Sequence, residues 1–219
     1  MLITISREFG AGGSLVAERV ARALGWRLVD NDFVARVAAR SGLPEAMVAM
    51  RDERAPGFRE WLLRALSRAA PELITPRSPL RPAELEEAAL VKVTESVVAD
   101  LAAEGRVILV GRAAPAVLAR KEDALHVRVV APRADRIGAV MARQHLGPAD
   151  AERLMDDTDE NRQRYHREYY DRDWADPTHF HLVLNTGLLG YDGAGDVIVD
   201  RARRLGWTAP PEAPNDSGR

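Results

Sequence analysis

The sequence contains no cysteine, which excludes disulfide bonds, thiol nucleophiles and thiolate metal sites. It also lacks any run of 18 or more apolar residues, so we expect no membrane-spanning helix. The charges nearly balance, with 31 Lys and Arg against 33 Asp and Glu, so we expect no DNA or RNA partner. Because the opening residues Met1–Ile5 carry no basic segment, we expect no signal peptide and a cytoplasmic location.

The pattern of apolar residues predicts an α/β domain with a single core. Five short apolar runs predict buried strands: Leu2–Ser6, Trp26–Val29, Val107–Val110, Leu125–Val130 and Phe180–Leu184. Helical patterns cover Ser14–Leu24, Asn31–Arg40, Pro44–Met50, Phe58–Ala69, Ala83–Ala103, Arg133–Gln144, Ala149–Tyr170 and Gly193–Leu205. Strands that alternate with helices predict a three-layer fold, in which a five-stranded parallel sheet carries helices on both faces.

The order of these elements predicts one domain over residues 1–207. Residues 58–103 contain no predicted strand, and we interpret them as a helical insertion over one end of the sheet, with a proline-rich loop at Ala70–Pro82. Residues 149–172 form a lid-like helical segment. The composition of residues 208–219 predicts a disordered tail.

A glycine-rich turn joins the first predicted strand to the first predicted helix. A strand, a glycine turn and a helix N-terminus together form an anion site, because backbone N–H groups and the helix dipole both face the ligand. We therefore predict a phosphate site made by Gly10, Ala11, Gly12, Gly13 and Ser14. The hydroxyl of Ser14 could cap the helix, contact a phosphate or bind Mg²⁺.

The turn departs from the P-loop pattern G-x-x-x-x-G-K-[ST] at two positions. Aligned on Gly12 and Ser14, the chain has Arg7 at the first glycine position and Gly13 at the lysine position. Arg7 is therefore the candidate that supplies the missing positive charge. A tight turn that binds nothing is the alternative for this motif taken alone.

The same residues also allow a dinucleotide-binding interpretation of the Rossmann type. Gly10-Ala11-Gly12 matches G-x-G, and Asp30 ends the second predicted strand about 20 residues later, as that fingerprint requires. Leu15 occupies the third glycine position, so the match is incomplete. The motif alone does not separate a nucleotide kinase from an NAD(P)-binding oxidoreductase.

Polar residues follow the other predicted strands at their carboxyl ends, where open α/β sheets bind ligands. Asp30 and Asp32 follow the second strand, and Arg36 lies one helical turn beyond Asp32. Gly111 and Arg112 end the third strand. We predict substrate-binding roles for Asp30, Asp32, Arg36 and Arg112. Helix capping by the aspartates and a surface ion pair of Arg112 are the structural alternatives.

The densest cluster of charge lies in residues 156–167, where acidic residues come first and arginines follow. Spacing predicts ion pairs Asp159–Arg162 and Glu160–Arg164 along one helix. The segment is either a solvated, salt-bridged helix or a lid whose arginines close over polyphosphate, with Arg162 and Arg164 as catalytic candidates. Phosphoryl transfer depends on such positive charge around the transferring group.

Several segments together resemble the cytidylate kinase-like family of P-loop nucleoside monophosphate kinases. The resemblance covers about residues 2–205 and is carried by Ile3–Gly13, Val29–Asp32, Val110–Ala113, Val129–Arg133, Asp173–Pro177 and Leu184–Gly187. It implies a P-loop kinase fold with helical monophosphate-binding and lid segments. It also implies transfer of the ATP γ-phosphoryl group to a nucleoside monophosphate, CMP or dCMP, with Mg²⁺.

The resemblance also assigns residues to parts of that reaction. Gly10–Ser14 would hold the ATP phosphates, Asp30, Arg36 and Arg112 would hold the monophosphate, and Arg162 would act from the lid. The chain departs from true cytidylate kinases at Gly13, Ala113 and Glu160, each of which replaces a charged residue. A nucleotide-binding sensor without turnover therefore stays an alternative, and the sequence leaves the oligomeric state open.

Overall fold

The computed structural model describes residues 1–29, 36–37, 39–40 and 82–207. In the helix that begins at Pro82, side chains are described from residue 91 onward. The predicted helices Pro44–Met50 and Phe58–Ala69, residues 70–81 of the predicted loop and the predicted tail 208–219 lie outside the described residues. The strands are β1 (Leu2–Arg7), β2 (Arg27–Val29), β3 (Val107–Val110), β4 (Ala124–Val130) and β5 (Leu182–Asn185). The helices are α1 (Gly13–Leu24), α2 (Pro82–Glu104), α3 (Ala114–Val117), α4 (Arg133–Gln144), α5 (Pro148–Tyr170) and α6 (Thr186–Arg204), with a 3-10 turn at Pro177–His179.

The five strands form one parallel sheet in the order β2-β3-β1-β4-β5. The chain leaves β1, passes over β3 to reach β2, and returns to β3 through α2. This order confirms the predicted three-layer α/β fold with a five-stranded parallel sheet. It excludes the Rossmann interpretation, in which the first strand pairs with the second, because here β1 lies between β3 and β4.

Side chains that alternate along the strands divide the core between the two faces of the sheet. Odd-numbered residues of β1 and β4, such as Ile3 and Val127, pack against α1 and α6 in one apolar cluster. Even-numbered residues point to the other face, where Leu2 and Ala124 pack against α2 and α3. On this second face the row continues with four buried polar residues, which are Thr4, Ser6, His126 and Arg128.

The predicted elements differ from the structure mainly at their ends. The last helix begins at Thr186 rather than at Gly193, because Asn185 accepts a hydrogen bond from the Gly187 N–H at 3.0 Å and caps the first turn. Gly190, with φ 69° and ψ 172°, then breaks the helix before it continues. The predicted loop ended at Pro82, but this residue begins α2. Within the described residues no helix is long and apolar enough to cross a membrane.

Candidate functional site

The glycine turn of residues 8–12 lies at the carboxyl end of the central strand β1. The Glu8 N–H donates to Val129 O at 3.1 Å, and the Ala11 N–H donates to Glu8 O at 3.2 Å, so the turn is fixed against β4 and onto itself. Gly10 and Gly12 have φ values of 84° and 76°, a left-handed conformation that favours glycine.

The same turn presents unused hydrogen-bond donors at the start of α1. Among the residues that the structure describes, the N–H groups of Gly10, Gly12, Gly13 and Ser14 find no acceptor. Gly12 is the N-cap of α1 and provides no side-chain cap, so Ser14, the second residue of the helix, does not occupy the capping position, and its other two possible roles stay open. Four donors next to a helix N-terminus suit the oxygens of a polyphosphate.

Three glycines, two in the turn and one at the start of α1, leave no space for a side chain because other parts of the protein approach them closely. A Cβ at Gly10 would lie 2.7 Å from Arg136 O, and one at Gly12 would lie 2.1 Å from Cε1 of Tyr191. A Cβ at Gly13 would lie 2.6 Å from Cβ of Arg7. The turn is therefore enclosed by α4, α6 and the end of β1, and substitution at any of the three positions would move it.

The lid-like helix α5 contacts the glycine turn through one carboxylate. Asp159 accepts hydrogen bonds from the Phe9 N–H at 2.9 Å, from Arg136 Nη1 at 2.6 Å and from Arg162 Nη1 at 3.0 Å. Its side chain is only 18% exposed, so these charge-assisted bonds are partly shielded from water. The predicted Asp159–Arg162 ion pair is confirmed, and Asp159 also joins the turn to α4 and α5.

Arg162 lies directly over the carboxyl end of β1. Besides Asp159, its Nη1 donates to the carbonyl oxygen of Arg7 at 2.9 Å. Its guanidinium carbon lies 5.7 Å from the ring centre of Phe9 and 6.0 Å from that of Trp174, which gives it an aromatic wall. The structure thus brings the predicted lid arginine to the predicted phosphate turn.

Arg164 lies on the other side of the same helix. Two positions along an α-helix differ by about 200°, so residues 162 and 164 cannot share a face. Arg164 is exposed, and its Nη2 donates to Asn161 at 2.6 Å instead of pairing with Glu160 as predicted. The structure does not bring Arg164 to the glycine turn, and its catalytic assignment stays a prediction.

Beneath the turn, a buried arginine connects β4 to the segment that precedes β5. Arg128 is 3% exposed; its Nη1 donates to Trp174 O at 2.7 Å, and its Nη2 lies 3.8 Å from Glu8 Oε1. Its guanidinium lies 4.2 Å from the ring centre of Trp174. Burial lowers the pKa of Arg128, and the nearby carboxylates oppose that shift. Glu8 also lies 3.5 Å from Arg136, so its carboxylate links the turn to two cations.

The turn after β3 is strained and lies next to Arg7. Gly111, Arg112 and Ala113 have φ values of 73°, 56° and 50°, three left-handed residues in succession, and two of them are not glycine. Such backbone strain is concentrated at functional sites. A Cβ at Gly111 would lie 2.0 Å from Nη1 of Arg7, so the guanidinium of Arg7 rests against this turn. The predicted residues Arg7 and Arg112 therefore meet at the carboxyl ends of β1 and β3.

A cleft of about 280 Å³ opens beside the glycine turn, towards β4 and β5. It is lined by Gly10, Ala131, Asp135, Thr186, Gly187, Gly190 and Tyr191. The hydroxyl of Thr186 donates to Ala11 O at 2.9 Å and to Val130 O at 3.3 Å, which fixes the cleft wall to the turn. Among the other lining side chains of the cleft, Asp135 contributes a carboxylate and Tyr191 contributes an aromatic ring.

Ser14 is the described residue that could hold Mg²⁺ at this site. It is the second residue of α1 and is partly exposed next to the open N–H groups. The described residues contain no cluster of three or more acidic, histidine or cysteine ligands. That donor set fits Mg²⁺, which takes one or two protein oxygens and fills its remaining positions with phosphate oxygens and water.

Arg36 lies near the amino ends of β2 and β3, so the structure does not bring it to the glycine turn, and its substrate-binding role stays a prediction. Its guanidinium donates to Glu104, the last residue of α2, and Arg27 at the start of β2 pairs with the same carboxylate. The hydrogen bond from Arg36 lowers the pKa of Glu104. Residues 36–37 and 39–40 are helical and follow a parallel strand, so Arg36 has returned to the amino ends of β2 and β3. Asp30 and Asp32 lie outside the described residues.

Sequence reasoning missed several residues of the site, namely Glu8, Arg128, Arg136, Asp135, Trp174 and Tyr191. Arg128 sits in an apolar strand, where a charged residue at an inward position is a usable signal of a buried ion pair. The other contacts join residues from different elements, such as Phe9 with Asp159, which are 150 positions apart, and no local pattern encodes them.

Comparison with known proteins identifies a family and a solved structure of similar fold. A model of the cytidylate kinase-like family matches residues 2–188. A crystal structure of an uncharacterized protein from Eubacterium ventriosum is 20% identical, with 93% of this chain and 98% of that chain covered and a TM-score of 0.59. No curated protein matches the chain.

Two crystal structures of shikimate kinase were also found, each 13% identical to this chain. The one from Bacteroides thetaiotaomicron covers 94% of this chain and 97% of its own, with a TM-score of 0.49. The one from Acinetobacter baumannii, in complex with shikimate, covers 93% and 91%, with a TM-score of 0.45. The family match supports a nucleotide kinase. Since the family match extends over most of its length, the chain belongs to the cytidylate kinase-like family.

Proposed function

We propose that this protein transfers the γ-phosphoryl group of ATP to a nucleoside monophosphate, CMP or dCMP. The observation that carries the proposal is the convergence of three features at one sheet edge. They are the open N–H groups of the glycine turn, the guanidinium of Arg7 at the end of β1, and the guanidinium of Arg162 from α5. An anion cradle with two arginines from distant segments suits a polyphosphate.

The residues of the site divide the work of phosphoryl transfer between binding and electrostatic stabilisation. The N–H groups of Gly10, Gly12, Gly13 and Ser14 would bind phosphate oxygens, and the Ser14 hydroxyl would hold Mg²⁺. Bound Mg²⁺ would supply positive charge to the polyphosphate. The cleft lined by Asp135 and Tyr191 adjoins the glycine turn and can hold the base of the donor nucleotide.

Arg112 and Arg162 would act on the side of the acceptor. Arg112 is held in a left-handed conformation next to Arg7, and Arg162 is oriented by Asp159 and the Arg7 carbonyl. A monophosphate oxygen is already ionised at neutral pH, so the reaction needs no general base. Closing of α5 over the turn excludes water, which would otherwise compete as acceptor.

The proposal is tested with the full-length protein, Mg·ATP and a panel of CMP, dCMP, UMP and AMP. We expect ADP and the matching diphosphate from CMP or dCMP. Replacement of Arg162 by Met should lower kcat by about 100-fold or more, as loss of one preorganised donor does. Arg153→Met on the same helix is the matched control, because Arg153 is 68% exposed and pairs only with Asp150 among the described residues. Absence of ADP formation with all four acceptors would contradict the proposal.

Gly13 favours a second candidate, a nucleotide sensor without turnover. The lysine that usually contacts the β- and γ-phosphates is absent at this position, while the backbone cradle is retained. A thermal-shift panel of nucleotides with and without Mg²⁺ separates the two candidates, since binding to the native state raises the unfolding midpoint. Nucleotide binding without any ADP formation would select the sensor.

A further inference from the structure

The side chain of Arg7 runs across the carboxyl edge of the sheet, from the first residue of α1 to the end of β3. A Cβ at Gly13 would lie 2.6 Å from Cβ, 2.8 Å from Cγ and 3.5 Å from Cδ of Arg7. A Cβ at Gly111 would lie 2.0 Å from Nη1 and 2.9 Å from Cζ. The apolar stem of Arg7 therefore covers Gly13, and its charged end covers Gly111.

Because of this path, positions 7 and 13 cannot both carry a long side chain. Contacts below 3.0 Å at Gly13 involve the base of the Arg7 side chain, which cannot move without moving β1. A lysine at position 13, where the P-loop pattern places it, would have to begin inside the volume that Arg7 fills. The turn can thus carry a cation at position 7 or at position 13, but not at both.

We propose that Arg7 takes over the function of the P-loop lysine, and that position 13 is glycine because the Arg7 stem occupies the space of its side chain. The inference rests on the proposed function and names a catalytic residue for it. It explains both departures from the P-loop pattern by one cause, since a large residue replaces the first glycine and a glycine replaces the lysine.

The position of the guanidinium assigns it to the transferring group. It lies between the glycine turn, which binds the donor, and the turn of Gly111 and Arg112, which faces the acceptor. In the reaction, the bond from the γ-phosphorus to the β–γ bridging oxygen breaks, and its electron pair passes to the β-phosphate. A bond forms between the γ-phosphorus and an ionised acceptor oxygen, and no proton moves. Arg7 stays charged throughout and stabilises negative charge on the oxygens between the two nucleotides.

The test exchanges the two positions and compares four variants with the wild type. These are Arg7→Met, Arg7→Gly, Arg7→Gly with Gly13→Lys, and Arg7→Met with Gly13→Lys. Phosphoryl transfer by Arg7→Met should fall by about 100-fold or more, because the stem remains and only the charge is lost. The Arg7→Gly/Gly13→Lys variant should recover at least about tenfold over Arg7→Gly, since the lysine now has space. The Arg7→Met/Gly13→Lys variant should recover nothing, because the methionine stem still fills that space.

Two further measurements keep the test decisive where a double variant does not fold. The thermal unfolding midpoint identifies misfolded variants, and Arg22→Met, exposed at the far end of α1, is the control for loss of an arginine. Gly111→Ala should lower phosphoryl transfer as well, because its methyl group displaces the guanidinium. If the wild type binds ATP without turnover, the dissociation constant of Mg·ATP replaces the rate, with the same ranking expected.

The outcomes separate this inference from the proposed function. A wild type that transfers phosphate and loses less than about threefold in Arg7→Met overturns the inference alone. Equal recovery by the two double variants also overturns it, because the stem would then not exclude a lysine. A wild type that neither binds nucleotide nor forms ADP overturns the proposed function and this inference together.

Discussion

The two faces of the sheet differ in chemistry although they share the same strands. On the face covered by α1 and α6, the buried side chains that β1 and β4 contribute are all apolar, namely Ile3, Ile5, Leu125, Val127 and Val129. On the other face, Thr4 and Ser6 of β1 lie beside His126 and Arg128 of β4, in register across the strands. All four are less than 5% exposed, so they are buried polar groups and not a solvated surface.

Each polar residue of this second face has a partner that fixes a neighbouring element. Thr4 and His126 share a hydrogen bond of 2.8 Å, and the His126 ring stacks on His181 with 5.2 Å between ring centres. Ser6 accepts from Trp174 Nε1 at 3.2 Å. Hydrophobic contacts on the apolar face stabilise the fold but are not directional. Hydrogen bonds on the polar face hold the segment before β5 in place beneath α5. The apolar face thus contributes mainly to stability, whereas the polar face also positions the segment before β5.

The largest stability effect is expected on the apolar face. Replacing Ile3 by Ala removes a fully buried side chain and should lower the unfolding free energy by about 3 kcal/mol, measured by urea denaturation. Turnover per folded molecule should stay at the wild-type level, because Ile3 lies near the amino end of β1, whereas the glycine turn follows its carboxyl end. A loss of kcat in proportion to stability would break the proposed division between the faces.

A smaller effect is expected where the lid meets the glycine turn. Asp159→Asn keeps the shape of the side chain but removes the charge that faces Arg136 and Arg162, which should cost about 2 kcal/mol. Asp157→Asn, exposed on the same helix, is the control. Hydrogen exchange of the α5 amides should speed up in the first variant only. Unchanged exchange there would show that Asp159 does not hold the lid to the turn.

A pH-dependent effect of about 1–2 kcal/mol is expected from the polar face. Burial, with the nearby charges of His181 and Arg172, lowers the pKa of His126 from 6.5 to about 4. Between pH 7 and pH 5 the unfolded chain therefore binds a proton that the folded chain does not, and the unfolding free energy falls as pH falls. His126→Gln should reduce this fall, whereas Ile3→Ala should retain it. Urea titrations at the two pH values measure the difference.

The smallest effect is expected outside both faces. Arg133 pairs with Glu152 and Asp156 between α4 and α5, but its side chain is 49% exposed. Exposed ion pairs are screened by solvent and contribute little. Arg133→Met should leave the thermal midpoint unchanged within measurement error, and added salt should have no larger effect on the wild type than on the variant. A clear loss would show that this surface pair also holds the lid.

The fold could be predicted from the sequence because its signals are local. Short apolar runs separated by helical patterns indicate parallel strands with crossover helices, and all five predicted strands are present. Val107–Val110 has its predicted ends, and the ends of the other four are shifted by one or two residues. The helix Arg133–Gln144 was predicted with its observed ends, since its capping turn and its apolar period agree. The start of α6 was missed because glycines at 187, 190 and 193 suggest a loop, while the Asn185 cap and packing on α1 favour a helix.

The site could be predicted only in part. The glycine turn and Arg162 carry local signals, which are a glycine cluster after a strand and the Asp-x-x-Arg spacing on a helix. The structure does not bring Arg36 to the glycine turn, and no pattern in the sequence indicated its pairing with Glu104. Arg164 was grouped with Arg162 because charge density alone ignores the helical period.

The sequence by itself determined the sheet, the glycine turn and the arginine-rich helix, because these depend on periodicity and residue type. Only the tertiary structure decided which arginine serves which contact. The Arg7 guanidinium over Gly111, the Asp159 carboxylate on the Phe9 N–H and Arg128 beneath Trp174 each join segments that are distant in the chain. Such contacts follow from how the layers pack, and packing is a property of the whole fold and not of any window of residues.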